Sequence, residues 1–149
     1  VAGAYANSAL IKTDANRAGF DEALVLDNNG HISEGSAMNI FMLRDGVLVT
    51  PPVTDNILEG ITRKSIIELA RKELGLEVVE RSIDRTEVFI AEEMFMTGTA
   101  AQVTAVTKID HRPVGAGVMG PITTKFRTLY DDILRGKNNT YLHWNVTVK

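Results

Sequence analysis

The spacing of apolar positions changes several times along the chain, and each change marks an element. Residues 1–17 are Ala-rich with Leu10 and Ile11 on one side, and Gly19 follows where a helix C-cap would sit. A helix is predicted there, its first residues coming in extended. Residues 22–27 (EALVLD) read as a buried strand. Asn28-Asn29-Gly30 is a hairpin turn, because all three residues tolerate positive φ, and residues 31–34 return. A second hairpin follows: NIFMLR over 39–44, Asp45-Gly46 as the turn, and VLVT over 47–50, stopped by Pro51-Pro52. Residues 60–74 give the clearest helix, with Ile61, Ile66, Leu69, Ala70 and Leu74 on one face and Gly75 closing it.

The second half continues in the same mixed way. Residues 76–82 read as a strand by length and their Val-Val centre. Asp84 and Glu87 suggest a capping box for a short helix. Residues 93–97 (EMFMT) lead into a Gly98 loop, residues 102–109 alternate like a strand, and residues 110–120 are turn-rich. Gly120-Pro121 opens a last helix with proline at its favoured first position. Ile122, Phe126, Leu129, Tyr130, Ile133 and Leu134 form its stripe, and Gly136 ends it. Residues 137–149 read as a polar tail with Trp144 as its one anchor. Frequent hairpins exclude a regular doubly wound parallel sheet and predict an α+β domain over residues 1–136.

Composition narrows the function classes. A chain of 149 residues has room for one domain with a real core. Its net charge of -3, without a run of like charges, gives no nucleic-acid footprint. The absence of cysteine removes a disulfide framework and a cysteine nucleophile. No apolar stretch is long enough to span a membrane, and no signal-peptide pattern opens the chain, so a cytoplasmic protein is expected. The three histidines lack metal-ligand spacing, so no metal site is predicted.

Three short segments carry the candidate chemistry. Residues 33–41 read SEGSAMNIF and put the Glu34 carboxylate on a Gly-Ser loop between β-rich runs. Such a glutamate is usually just solvated. Facing a pyridine nitrogen, it would keep that nitrogen protonated and make the ring an electron sink. Residues 58–63 read LEGITR and bring a helix N-terminus to a glycine-opened turn. Gly60 permits close approach, and Thr62 adds a hydroxyl where amides and dipole attract phosphate. Many helices begin this way and bind nothing. Residues 96–103 read MTGTAAQV, small residues that leave amides open to an anion, or simply a tight packed loop. Each segment alone is weak; together, in this order, they suggest a pyridoxal phosphate enzyme.

The chain resembles the large domain of fold-type IV pyridoxal phosphate enzymes, and most closely the branched-chain amino acid aminotransferases. The resemblance runs from Tyr5 to about Gly136. It rests on AYANSAL, DEALVLDNNGHISEG, NIF, DGVLVTPP, LEGITR, MTGTAAQVT and GPIT. It implies a mixed-sheet pseudo-barrel with flanking helices. It further implies transamination between L-branched-chain amino acids and 2-oxoglutarate, and a homodimer or higher homo-oligomer. Carried over residue by residue, Glu34 partners the pyridine nitrogen and Tyr5 the phenolic oxygen. The amides of Ile61 and Thr62, the Thr62 hydroxyl and Thr99 hold the phosphate, and Gly60 and Gly98 complete the cofactor-binding set. The Ala100 amide receives the substrate carboxylate, and Asn39 has a structural role only.

Two departures stand out. Ala37-Met38 replaces the Gly-Glu of many bacterial members. The Schiff-base lysine implied by the resemblance would fall immediately before Val1, so no catalytic residue is assigned within the 149 residues and the chain is expected to be a fragment lacking the small domain. Lys12 lies seven residues beyond Tyr5 on a helical stretch and reads as a surface lysine. A D-amino acid or (R)-amine transaminase of the same fold is one alternative, and a non-catalytic binding domain is another.

Overall fold

In the computed structural model the described residues are Gly3 and 5–146. The expected start of the first helix at Val1, Ala2 and Ala4 therefore lies outside the described residues. Helix α1 spans Ala6–Arg17, and Gly19 beyond it has φ +86°, the left-handed conformation a helix stop requires. Two antiparallel pairs follow. β1 (Leu24–Leu26) pairs with β2 (His31–Gly35), and β3 (Asn39–Arg44) with β4 (Val47–Thr50). Asp45 and Gly46 both have positive φ, the geometry that matches a two-residue turn to strand twist.

Helix α2 (Ile61–Lys72) crosses over and returns the chain to β5 (Val78–Glu80), which lies parallel to β4. β6 (Ile83–Asp84), β7 (Glu93–Gly98), β8 (Gln102–Val106), β9 (Lys108–Ile109) and β10 (Arg112–Pro113) precede helix α3 (Pro121–Leu134). The main sheet has the order β5-β4-β3-β7-β8, and β1-β2-β6 form a second sheet.

β3 and β7 are central and covered on both faces, so their sequences run continuously apolar rather than alternating. On one face Phe41, Leu48 and Phe95 pack against Ile66, Leu69, Phe126 and Ile133 of the helices. Phe41 and Phe95 are cross-strand partners stacked at 5.0 Å. On the other face Ile40, Met42, Val49, Met94 and Met96 pack against Ile32, Ile83 and Val88. The result is a mixed-sheet α+β fold with flanking helices.

Four expectations need correction. The strand read as buried over 22–27 is the short β1, none of whose residues is buried, and Leu26 is 42% exposed, because β1 lies at the edge of its sheet. Asp84 does not open a capping box: it pairs in β6 opposite His31, and the 3-10 turn Glu87–Ile90 starts after Thr86. Glu87 instead binds Arg44 and Arg81. Trp144 is not the only anchor beyond residue 136. Residues Asn139–Trp144 form a 3-10 helix in which Tyr141 is buried and donates to Glu73 at 2.7 Å. The single strand expected over 102–109 breaks at Thr107 into β8 and β9, and β9 pairs with β10 of the turn-rich stretch in a hairpin turned by Asp110 and His111 at positive φ without glycine.

Candidate active site

Between β4 and α2 the chain runs through a strap, residues 51–60, that belongs to no sheet. Side chains hold it. Ser33 Oγ donates to the Asp55 carbonyl at 2.8 Å, and Arg63 Nη2 donates to the Pro51 carbonyl at 2.9 Å. The backbone of Leu58 is gripped twice. Its N–H donates to Glu34 Oε2 at 3.0 Å, and its carbonyl accepts from Asn39 Nδ2 at 2.7 Å. The strap then delivers Gly60 to the start of α2, with no side chain capping that start among the described residues.

Two helices here begin with glycine, and they differ in one respect. At α3, Glu93 caps the exposed amides: Oε1 accepts from Ile122 N at 3.0 Å, and Oε2 from Thr123 N at 2.8 Å. At α2 no carboxylate fills the equivalent place among the described residues, and Ile61 is 85% exposed. The first amides of a helix need a partner and carry partial positive charge, so the α2 start favours an anion. Thr62 is buried, and its hydroxyl accepts a long bond of 3.4 Å from Tyr130. A hydroxyl in that state still has its own proton to donate.

The third segment lies beside the first. Asn39 and Thr97 are register partners across β3 and β7. Thr97 is 1% exposed, and its Oγ1 is buried without a hydrogen-bond partner among the described residues. A β-carbon added to Gly98 would lie 3.3 Å from Met38 Cγ, a tight contact that would press on the Met38 side chain. Gly98 and Ala100 line a cleft of 550 Å³ with Tyr5, Ala37 and Met38. Glu34, Gly60, Ile61 and Thr62 do not line that cleft; they adjoin the strap on the Leu58 side. Thr99 is exposed on the turn between β7 and β8.

Sequence reasoning missed Glu22. Its carboxylate accepts from Ala23 N at 2.8 Å and Ser36 N at 3.3 Å, and it pairs with Lys12 Nζ at 3.1 Å. Burial pushes the Glu22 carboxyl up, but the bonds from Ser36, Ala23 and Lys12 outweigh it and hold it below the usual range. Glu22 thus ties α1, which follows Tyr5, to the loop after Glu34. Lys12 is committed to this contact and to the Asp21 carbonyl. The clue in the sequence was an acidic residue at the entry of a strand otherwise read as apolar.

The pieces fit a phosphorylated pyridine on this structure's own observations. A carboxylate and an uncapped helix start meet at one strap, and an unpaired buried hydroxyl lies on the strand beside Asn39, which holds that strap. The same architecture occurs in solved branched-chain amino acid aminotransferases. One is the T.th. enzyme complexed with N-(5'-phosphopyridoxyl)-L-glutamate, at TM-score 0.93 and 46% identity over 97% of this chain and 49% of that one. Another is the pyridoxal phosphate form from Thermobaculum terrenum, at TM-score 0.91 and 43% identity over 94% of this chain and 46% of that one.

The amino-transferase class IV family model matches residues 1–109, and the chain belongs to that family. Among curated relatives, a probable branched-chain-amino-acid aminotransferase of Aquifex aeolicus is 50% identical over 97% of this chain. A branched-chain-amino-acid aminotransferase of Pseudomonas aeruginosa is 48% identical over 99%. The match covers 46% and 47% of those relatives, so the chain spans about half the length of the proteins it matches.

Proposed function

We propose that this chain is the cofactor-binding portion of a pyridoxal phosphate transaminase. It moves the amino group between branched-chain L-amino acids and 2-oxoglutarate, in a cytoplasmic homodimer or higher homo-oligomer. The observation that supports this reading is the doubly held Leu58 backbone: its N–H donates to Glu34 and its carbonyl accepts from Asn39, two residues ahead of Gly60 at the uncapped start of α2. When bound, pyridoxal phosphate supplies the electron sink that makes an amino acid's α-proton removable. Glu34 holds a proton at the ring nitrogen and so keeps that sink strong. The amides of Ile61 and Thr62, with the Thr62 and Thr99 hydroxyls, bind the phosphate, and Gly60 and Gly98 keep its approach open. Tyr5 orients the phenolic oxygen. The Ala100 amide takes the substrate carboxylate.

The base that moves the proton is a lysine assigned directly before Val1; Lys12 is already engaged by Glu22. Two measurements test the reading on the full-length polypeptide. Borohydride reduction with cofactor, followed by peptide mapping, should label a lysine adjacent to Val1; label at Lys12 would overturn the assignment. Glu34→Gln should fold normally yet slow a single turnover by ~2–4 kcal/mol of barrier, the scale of one lost preorganised electrostatic partner. An unchanged rate would remove Glu34 from its role.

A further inference from the structure

Asn39 stands at the first position of β3, 5% exposed, with its side chain leaving the sheet for the strap. Its Nδ2 donates to the Leu58 carbonyl, which also accepts from Gly60 N at 2.9 Å. Its Oδ1 lies where a β-carbon on Gly60 would approach to 2.2 Å. The amide therefore touches both the turn that enters α2 and the residue whose N–H is bound by Glu34. Apolar packing gives this junction little hold. Leu58 is 60% exposed, Ile61 is 85% exposed, and Glu59 is exposed. Polar contacts from Asn39 and Glu34 decide where the strap's end sits.

From this geometry we infer that Asn39 is a positioning residue: through Leu58 it sets the α2 amides in register with the Glu34 carboxylate. The inference rests on the function proposed above and deepens it. Both ends of the cofactor site are referred to one peptide segment, so loss of the Asn39 amide displaces them together. Gly60 is part of the device, because any side chain there would evict Asn39.

The test uses the full-length polypeptide and two probes, pyridoxal phosphate and pyridoxal, whose affinity ratio reports the phosphate cradle. Asn39→Ala is compared with Thr50→Val, which removes another buried side-chain donor, Thr50 Oγ1 to the Ile40 carbonyl at 2.8 Å, in the strand before the strap and not at its Leu58 end. Asn39→Ser is read instead should the alanine variant not fold. Asn39→Ala should weaken pyridoxal phosphate about tenfold, and pyridoxal less, for loss of one well-placed hydrogen bond. It should also shift the pH profile of the bound cofactor's absorbance, because Glu34 loses its reference point. Thr50→Val should lower the melting temperature while leaving both affinities within about twofold. Unchanged affinities and pH profile in Asn39→Ala would overturn the inference alone. A wild-type protein that binds pyridoxal phosphate no better than pyridoxal would overturn the functional reading, and the inference with it.

Discussion

Removing the Glu93 side chain is the sharpest test of how this fold is held. Glu93 opens β7 and is 8% exposed, yet it serves α3. It accepts from Ile122 N, Thr123 N and, at 2.7 Å, Thr123 Oγ1. Gly120 leaves room for it: a β-carbon there would sit 2.1 Å from Glu93 Cδ. Bonds to an ionised acceptor are worth about 1.5–3 kcal/mol each, and a favourable charge at a helix start adds about 0.3–1 kcal/mol. The three bonds share one carboxylate, and Ile122 can recover water, so the sum is not additive. Glu93→Ala should lose about 3–5 kcal/mol, on the scale expected for leaving buried partners unsatisfied. Glu93→Gln keeps one acceptor oxygen and turns an NH2 toward a donor, so about half that loss is expected. Urea unfolding followed by circular dichroism measures both. A loss below about 1 kcal/mol for the alanine variant, the value of an ordinary exposed cap, would refute the argument.

Two further predictions concern pH. The Arg81 hydrogen bond, aided by Arg44, outweighs burial and holds the Glu87 carboxyl down at about 2, from 4.5. A depressed native value gives stability that is full above 4.5 and lost as pH falls towards 2, so acid unfolding should steepen there and flatten in Glu87→Gln. Identical acid profiles would contradict the role of that pair. Burial, reinforced by the Glu73 carboxylate, pushes the Tyr141 phenol up to about 12, from 10. Its stabilising effect is complete below pH 10 and lost as pH rises through 12. Tyr141→Phe should therefore cost about 1 kcal/mol at neutral pH and remove part of the alkaline slope, as read by denaturant midpoints at about pH 8 and 11.

The sequence made some elements legible because local chemistry decided them. Asp45-Gly46 admits a two-residue hairpin, and the stripes of α2 and α3 match the faces they bury except at their ends, where Ile61 is 85% and Leu134 45% exposed. Long-range partners decided the rest. Nothing near Val78 and Val79 says that they pair parallel with Leu48 and Val49. The capping-box pattern at Asp84 and Glu87 failed because Asp84 pairs with His31 and the Glu87 carboxylate is claimed by Arg81 and by Arg44, 43 residues away. Likewise Tyr141 looked like part of a polar tail until Glu73 supplied a partner 68 residues distant. At the site, the residue types of Glu34, Gly60 and Gly98 stood out in the sequence. The hold of Asn39 and Glu22 on remote backbone did not, because a polar side chain does not announce which distant amide or carbonyl it will meet.

The strap of residues 51–60 also bears on the order in which the molecule acquires its parts. Its holds come from Ser33, Glu34 and Asn39 on one side and Arg63 on the other, with sequence separations of 22, 24, 19 and 12 residues. Without a ladder of its own, the strap has nothing to fold onto until β2 has paired with β1 and β6, and β3 with β7. Loop closure comes before any reward from those bonds. The hairpins and the helical stripes can gather early from near neighbours, whereas the segment joining the two ends of the candidate site is expected to become fixed last. Competence to bind is then a property of the finished chain, and a collapsed intermediate with correct secondary structure would still lack it.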